Sequence, residues 1–87
     1  MRDVKELVGI IMRVLDGAEV TEAEVRDLDF DADGELLGVL NETYIVLLEF
    51  VHDRELRQSD RVLDDKERAD LQASLNTIVR LCDAQAS

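Results

Sequence analysis

The chain has 87 residues and a formal net charge of −11, with 21 Asp and Glu residues against 10 Lys and Arg residues. This length suits one small domain over residues 1–87, and an apolar content of 46% argues against global disorder. The negative charge disfavours binding to nucleic acid or to an anionic membrane, and the apolar run from Tyr44 to Val51 is too short to span a bilayer. We therefore expect a soluble cytoplasmic protein.

Proline is absent and aromatic residues make up 3% of the chain, so Leu, Val, Ile and Ala must supply the core. Apolar residues recur at helical spacing along most of the sequence, and no proline interrupts them. These patterns predict an all-α fold, a compact four-helix bundle with one short helix. The predicted helices cover about residues 2–16, 21–28, 32–58 and 64–83.

The first two helices have clear end signals. Gly17 follows the first apolar pattern and can take the left-handed conformation that often ends a helix. Thr21 and Glu24 then form a capping box, with Val20 and Val25 as its hydrophobic staple. The apolar face of the first helix is formed by Val4, Leu7, Val8, Ile11, Val14 and Leu15.

The middle of the third helix is apolar on almost every side, which is typical of the central element of a bundle or of half a dimer seam. Asp64 and Glu67 predict the N-cap of the fourth helix, and the mixed-sign run 53–61 predicts a solvated helix end in which Asp53 pairs with Arg57. The main stripe of the third helix contains Leu36, Leu37, Leu40, Tyr44, Leu47, Leu48 and Val51.

Negative charge is concentrated in residues 16–42, hereafter the acidic segment. It contains ten carboxylates and one basic residue, Arg26, for a net charge of −9, whereas residues 1–15 carry +1 and residues 43–87 carry −3. Concentrated charge of one sign attracts an oppositely charged partner and speeds its docking. The predicted partner-binding residues are Glu22, Glu24, Asp27, Asp29, Asp31, Asp33 and Glu35, with Phe30 as an apolar anchor.

A second interpretation of part of this segment is a calcium loop. Asp29, Asp31, Asp33 and Gly34 match the alternating carboxylates and the glycine of such a loop. The twelfth position should be a bidentate Glu and is Leu40, so coordination would be incomplete. The competing interpretation is that Asp31 or Asp33 caps the third helix and that the other carboxylates complement its dipole.

Nothing in the sequence predicts an enzyme or a cofactor. His52 is the only histidine, which rules out a zinc cluster built on several histidines, and it is expected near the end of the third helix. Glycine-rich phosphate loops and the CxxC and HExxH motifs are absent.

The order of elements resembles the small helical immunity proteins of the colicin D type, which protect bacteria from their own nuclease toxins. The resemblance lies in residues 16–25, which open the second helix, in 53–57 at the end of the central helix, and in 63–68 at the start of the last one. The proline expected before Glu55 is missing. The resemblance implies a protein that blocks a basic nuclease with carboxylates in place of substrate phosphates.

Two functions from different classes follow from the sequence. The first is a non-catalytic immunity or antitoxin-like inhibitor that docks its acidic face on a basic partner such as a nuclease toxin. The alternative is a self-associating structural or regulatory protein that forms a homodimer through the third helix, and the calcium module is a further option.

Overall fold

A computed structural model describes the backbone of residues 2–86 and the side chains of residues 4–84. Within this range the chain forms five helices and no strand, which confirms the all-α prediction. The predicted number of helices was four, one of them short, whereas the structure has five in this range, of which three are long. The helices are α1 (Arg2–Leu15), α2 (Glu22–Arg26), α3 (Gly34–His52), α4 (Arg54–Ser59) and α5 (Arg61–Ala86).

Helix α1 ends as its sequence predicts. Gly17 has a φ of 96°, in the left-handed region that favours glycine. Its N–H donates to the Val14 carbonyl at 3.1 Å, and the Ala18 N–H donates to the Arg13 carbonyl at 2.9 Å. This pair of bonds is the Schellman arrangement, which satisfies carbonyls that the helix leaves without partners.

Helix α3 is the central element, since it contacts each of the other four helices. Its buried face is completed by Thr43, whose hydroxyl is satisfied in the core because it donates to the Val39 carbonyl at 2.8 Å. The buried core residues are Val4, Leu7, Ile11, Val14, Val25, Ala32, Leu36, Leu40, Leu47, Phe50, Leu71 and Ile78.

The predicted third helix over about 32–58 ends too late. The observed helix begins at Gly34, where φ is +64°, close to the predicted start, and it stops at His52 because the backbone of Asp53 leaves the helical region with ψ of 14°. The chain then continues as α4. The carbonyl of Phe50 lies in the last turn of α3, where helical carbonyls lose their partners, and Arg57 Nε donates to it at 2.9 Å.

The last helix begins three residues earlier than predicted, at Arg61, and runs to Ala86. The cap is Asp60, whose Oδ1 accepts a hydrogen bond of 3.1 Å from the Leu63 N–H. Asp64 and Glu67, the predicted cap residues, lie inside the helix and contact arginines instead. None of the helices in the described range is both long enough and apolar enough to cross a membrane.

Two residues of α3 provide a matched test of this packing. Leu47 is fully buried, whereas Ile45 is 55% exposed on the same helix. Leu47→Ala is expected to lower the free energy of unfolding by about 2–5 kcal/mol, because it leaves a cavity in the core. Ile45→Ala should change it by less than about 0.5 kcal/mol. Urea unfolding followed by circular dichroism measures both, and equal losses would contradict the central placement of α3.

Candidate functional site

The acidic segment enters α2 through a side-chain cap. The Thr21 hydroxyl accepts a hydrogen bond of 3.2 Å from the Glu24 N–H, as the capping box predicts. Val25 is fully buried and Val20 is half-buried, which fits the predicted hydrophobic staple. The short helix α2 packs on α3 and so holds the acidic segment against the core.

After α2, side chains alternate between the core and the solvent from residue 27 to residue 33. Leu28 and Phe30 are half-buried and Ala32 is buried, whereas the four aspartates between and beside them are exposed. The alternating sequence therefore anchors one side of this segment on the core and displays carboxylates on the other. The displayed residues are Asp27, Asp29, Asp31 and Asp33.

The predicted partner-binding carboxylates fall into two groups, those that contact a basic side chain of the chain and those that do not. Glu22 is half-buried and contacts His52 and Arg26, and Glu24 lies 3.9 Å from Arg13. Four other carboxylates are exposed and form no ion pair with a described residue; these are Asp27, Asp29, Asp33 and Glu35. Asp31 is also exposed. The structure therefore leaves a row of negative charge open to solvent at the α2–α3 connection.

Phe30 packs its ring against Tyr44 of α3. The ring centroids are 6.2 Å apart and the planes are nearly perpendicular at 86°, an edge-to-face contact. Beside the pair is a cavity of about 200 Å³, hereafter the aromatic pocket. It is lined by Leu28, Asp29, Phe30, Leu37, Asn41 and Tyr44.

The carboxylates of the predicted calcium loop face solvent, and in the described part of the chain no three His, Cys, Asp or Glu side chains are grouped closely enough to hold a metal ion. Asp33 occupies the N-cap position of α3 but makes no side-chain capping hydrogen bond. The prediction that Asp33 lies at the N-cap of α3 is therefore confirmed, but the expected hydrogen bond from its side chain is not formed.

His52 at the end of α3 ties that helix to α2. Its Nδ1 lies 3.0 Å from Glu22 Oε1. The hydrogen bond and charge of Glu22 raise the pKa of His52, and the same contact lowers the pKa of Glu22. A raised histidine pKa adds stability at low pH, and this stability is lost as the pH rises through the pKa of His52 in the folded state. A lowered carboxyl pKa adds stability that is lost as the pH falls through the pKa of Glu22 in the folded state. The contact therefore stabilises the fold between those two pKa values.

Glu22→Gln is expected to lower the pKa of His52, because the substitution removes the carboxylate that stabilises the imidazolium form. Titration of the imidazole proton signals by NMR measures the change. Glu24→Gln removes the same charge two residues away and should move the pKa of His52 much less. Equal shifts in the two variants would mean that overall charge, not this contact, sets the titration.

Sequence reasoning missed a second charged group, hereafter the arginine cluster: Arg57, Asp64, Glu67 and Arg68 around the ring of Phe50. The Arg57 side chain is only 10% exposed, so it is not part of a solvated helix end as predicted. Its guanidinium carbon lies 3.5 Å from the Phe50 ring centroid, and that of Arg68 lies 5.6 Å away. Asp64 accepts hydrogen bonds of 2.9 Å from both arginines.

Glu67 is the incompletely satisfied member of this cluster. Its side chain is 15% exposed, and its buried Oε2 accepts no hydrogen bond from the described residues, although Arg57 Nε lies 3.4 Å away. That N–H donates to the Phe50 carbonyl instead. Burial, together with the neighbouring carboxyls of Asp53 and Glu49, raises the pKa of Glu67 to about 7, although Arg57 opposes the rise.

Glu67→Gln is expected to stabilise the fold more at pH 8 than at pH 5. A raised carboxyl pKa favours the protonated folded state, so stability is lost as pH rises from about 4.5 to about 7. The difference between the two pH values should be about 2 kcal/mol, since one pKa unit corresponds to about 1.4 kcal/mol. Urea unfolding at both pH values measures it, with Glu55→Gln as the control for the lost charge. A pH-independent effect would contradict the buried ionisation.

A larger cavity of about 310 Å³ lies beside the arginine cluster, between the α1–α2 connection and α4. Its arginines are already paired: Arg57 and Arg68 with Asp64, and Arg54 with Glu19. Their positive charge holds the helices together and leaves little attraction for an external anion. Beside this cavity the charges are thus paired, whereas the acidic segment concentrates exposed carboxylates in one place.

No protein-family model, no curated protein and no solved structure matches this chain.

Proposed function

We propose that the chain is a non-catalytic binding protein that docks its acidic segment on a basic surface of another protein. The observation that carries this proposal is the row of exposed carboxylates without a described counter-ion at Asp27, Asp29, Asp33 and Glu35. Unneutralised charge held in one place produces a directed field, which accelerates association with a positively charged partner.

Several acids elsewhere in the molecule have partners within the fold, unlike the four exposed acids of the acidic segment. Asp64 and Glu67 contact arginines within the fold, and Asp60 caps a helix. Each of these carboxylates therefore has a contact within the chain. The four exposed acids have no such contact with the described residues, and their mutual repulsion is a small energy that solvent screening reduces but does not remove. An external cationic partner would offset it.

The most specific form of the proposal is an inhibitor of a nuclease toxin, as the resemblance to colicin D-type immunity proteins suggests. A nuclease active site binds phosphates through Arg and Lys side chains, and a rigid row of carboxylates presents similar charge to them. The anchoring of residues 28, 30 and 32 on the core keeps that row in place. Pre-arranged charge of this kind lowers the entropic cost of binding.

Self-association through α3 is the second candidate, and the observation that favours it is Ile45, which is 55% exposed. Much of the apolar surface of α3 that could form a dimer contact is instead covered by other parts of the same chain. Leu47 is buried against the other helices, and Tyr44, Val46 and Leu48 are half-buried. The uncovered apolar area on α3 is therefore smaller than the sequence suggests.

Two charge-matched variants test the proposal. The site variant carries Asp27→Asn, Asp29→Asn and Glu35→Gln; the control variant carries Asp65→Asn, Asp70→Asn and Glu55→Gln at exposed positions of α4 and α5. Both change the net charge from −11 to −8. Immobilised wild type and control variant are expected to retain a basic nuclease from the lysate of the native host, and the site variant to lose it.

Kinetics with the purified nuclease complete the test. The site variant should associate about tenfold more slowly than the control variant at low salt, and added salt should remove most of the difference. Wild type should also inhibit cleavage by the nuclease. Equal loss in both variants, or association insensitive to salt, would contradict docking through the acidic segment. Retention of nothing but copies of the chain would favour self-association.

A further inference from the structure

We propose that the aromatic pocket binds one arginine side chain of the basic partner, and this inference rests on the proposed function. The pocket lies within the acidic segment, where Phe30 and Asp29 form part of its wall. Its volume of about 200 Å³ is below the roughly 300–1,000 Å³ of typical small-molecule sites and suits a single side chain.

The chemistry of the wall is divided between apolar and acceptor groups. Leu28, Leu37 and the rings of Phe30 and Tyr44 offer an apolar surface for an aliphatic stem. Asp29 and Asn41 add a carboxylate and an amide oxygen, both of which accept hydrogen bonds from a cation. An occupant with an apolar stem and a charged, donor-rich head matches both parts.

Charge selects a cation over an anion for this pocket. None of its six lining residues is basic, and Asp27, Asp31 and Asp33 flank the wall residues along the chain and are exposed. The carboxylate of Asp29 is itself exposed and forms no ion pair with a described residue. A guanidinium group at this position would gain a charge-assisted hydrogen bond without displacing an existing partner.

Arginine fits this wall better than lysine. The planar guanidinium stacks on aromatic faces and donates several hydrogen bonds in one plane, whereas the ammonium of lysine is compact and strongly hydrated. The contact between Phe30 and Tyr44 also fixes both rings, so little side-chain entropy is lost on binding. The exposed aspartates provide long-range attraction, and the pocket adds preference for one cationic side chain.

Two peptides of equal charge separate the pocket from general electrostatic attraction. The probes are acetylated, amidated octapeptides with four Gly-Arg or four Gly-Lys repeats, titrated into the protein and followed by NMR. The arginine peptide is expected to shift the ring signals of Phe30 and Tyr44 and the side-chain amide of Asn41. It should bind about fivefold more tightly than the lysine peptide.

Phe30→Leu keeps an apolar residue but removes one ring, so it should reduce the affinity for the arginine peptide to that for the lysine peptide. Met12→Leu, at an exposed position of α1, is the control and should leave the preference unchanged. Near-identical backbone spectra of the two variants show that both remain folded. If Phe30→Leu unfolds the chain, Tyr44→Leu replaces it.

The outcomes distinguish this inference from the proposed function. Equal binding of both peptides to the aspartates, without ring shifts, would overturn the arginine pocket and leave docking through the acidic segment intact. Shifts confined to other parts of the surface would overturn the pocket as well. Failure of both peptides to bind, together with no effect of the site variant on nuclease capture, would overturn both proposals.

Discussion

The apolar central helix is the constraint on which the rest of the structure depends. Helix α3 carries apolar residues on almost every side, and a chain of 87 residues has few elements with which to cover them. The fold responds by placing α1, α2, α4 and α5 in contact with it. The segment after α2 adds Leu28, Phe30 and Ala32 to the same core. The position of the acidic segment is therefore a consequence of covering α3.

Charge is handled differently at the two ends of α3. At its C-terminal end, the break at Asp53 brings Arg57 over the ring of Phe50, where carboxylates of α5 neutralise it. Burying a charged group is costly unless it is paired and hydrogen-bonded, and Arg57 has both kinds of partner. Glu67 is close to that charge, but its burial, followed by the neighbouring carboxyl of Asp53, raises its pKa.

At the N-terminal end of α3 the carboxylates remain in water. Exposure makes them inexpensive to the fold and available to a partner, because screening by solvent weakens their mutual repulsion. The alternation of residues 27–33 holds the segment in place and also keeps its charge accessible, since the apolar side chains pack on the core and the aspartates between them stay exposed. Stability and the proposed binding surface thus come from alternate residues of the same short stretch.

The sequence by itself determined the helical class, the apolar face and glycine end of α1, and the cap of α2, because these depend on spacing and on contacts within a few residues. It also located the acidic segment, since charge density is a property of composition. Only the tertiary structure decided which charges are neutralised. Arg57 is buried because α3 breaks at Asp53 and α5 returns beside it, and Phe30 meets Tyr44 because α2 packs on α3. These contacts join residues of different elements, so the periodicity within a single helix held no signal for them.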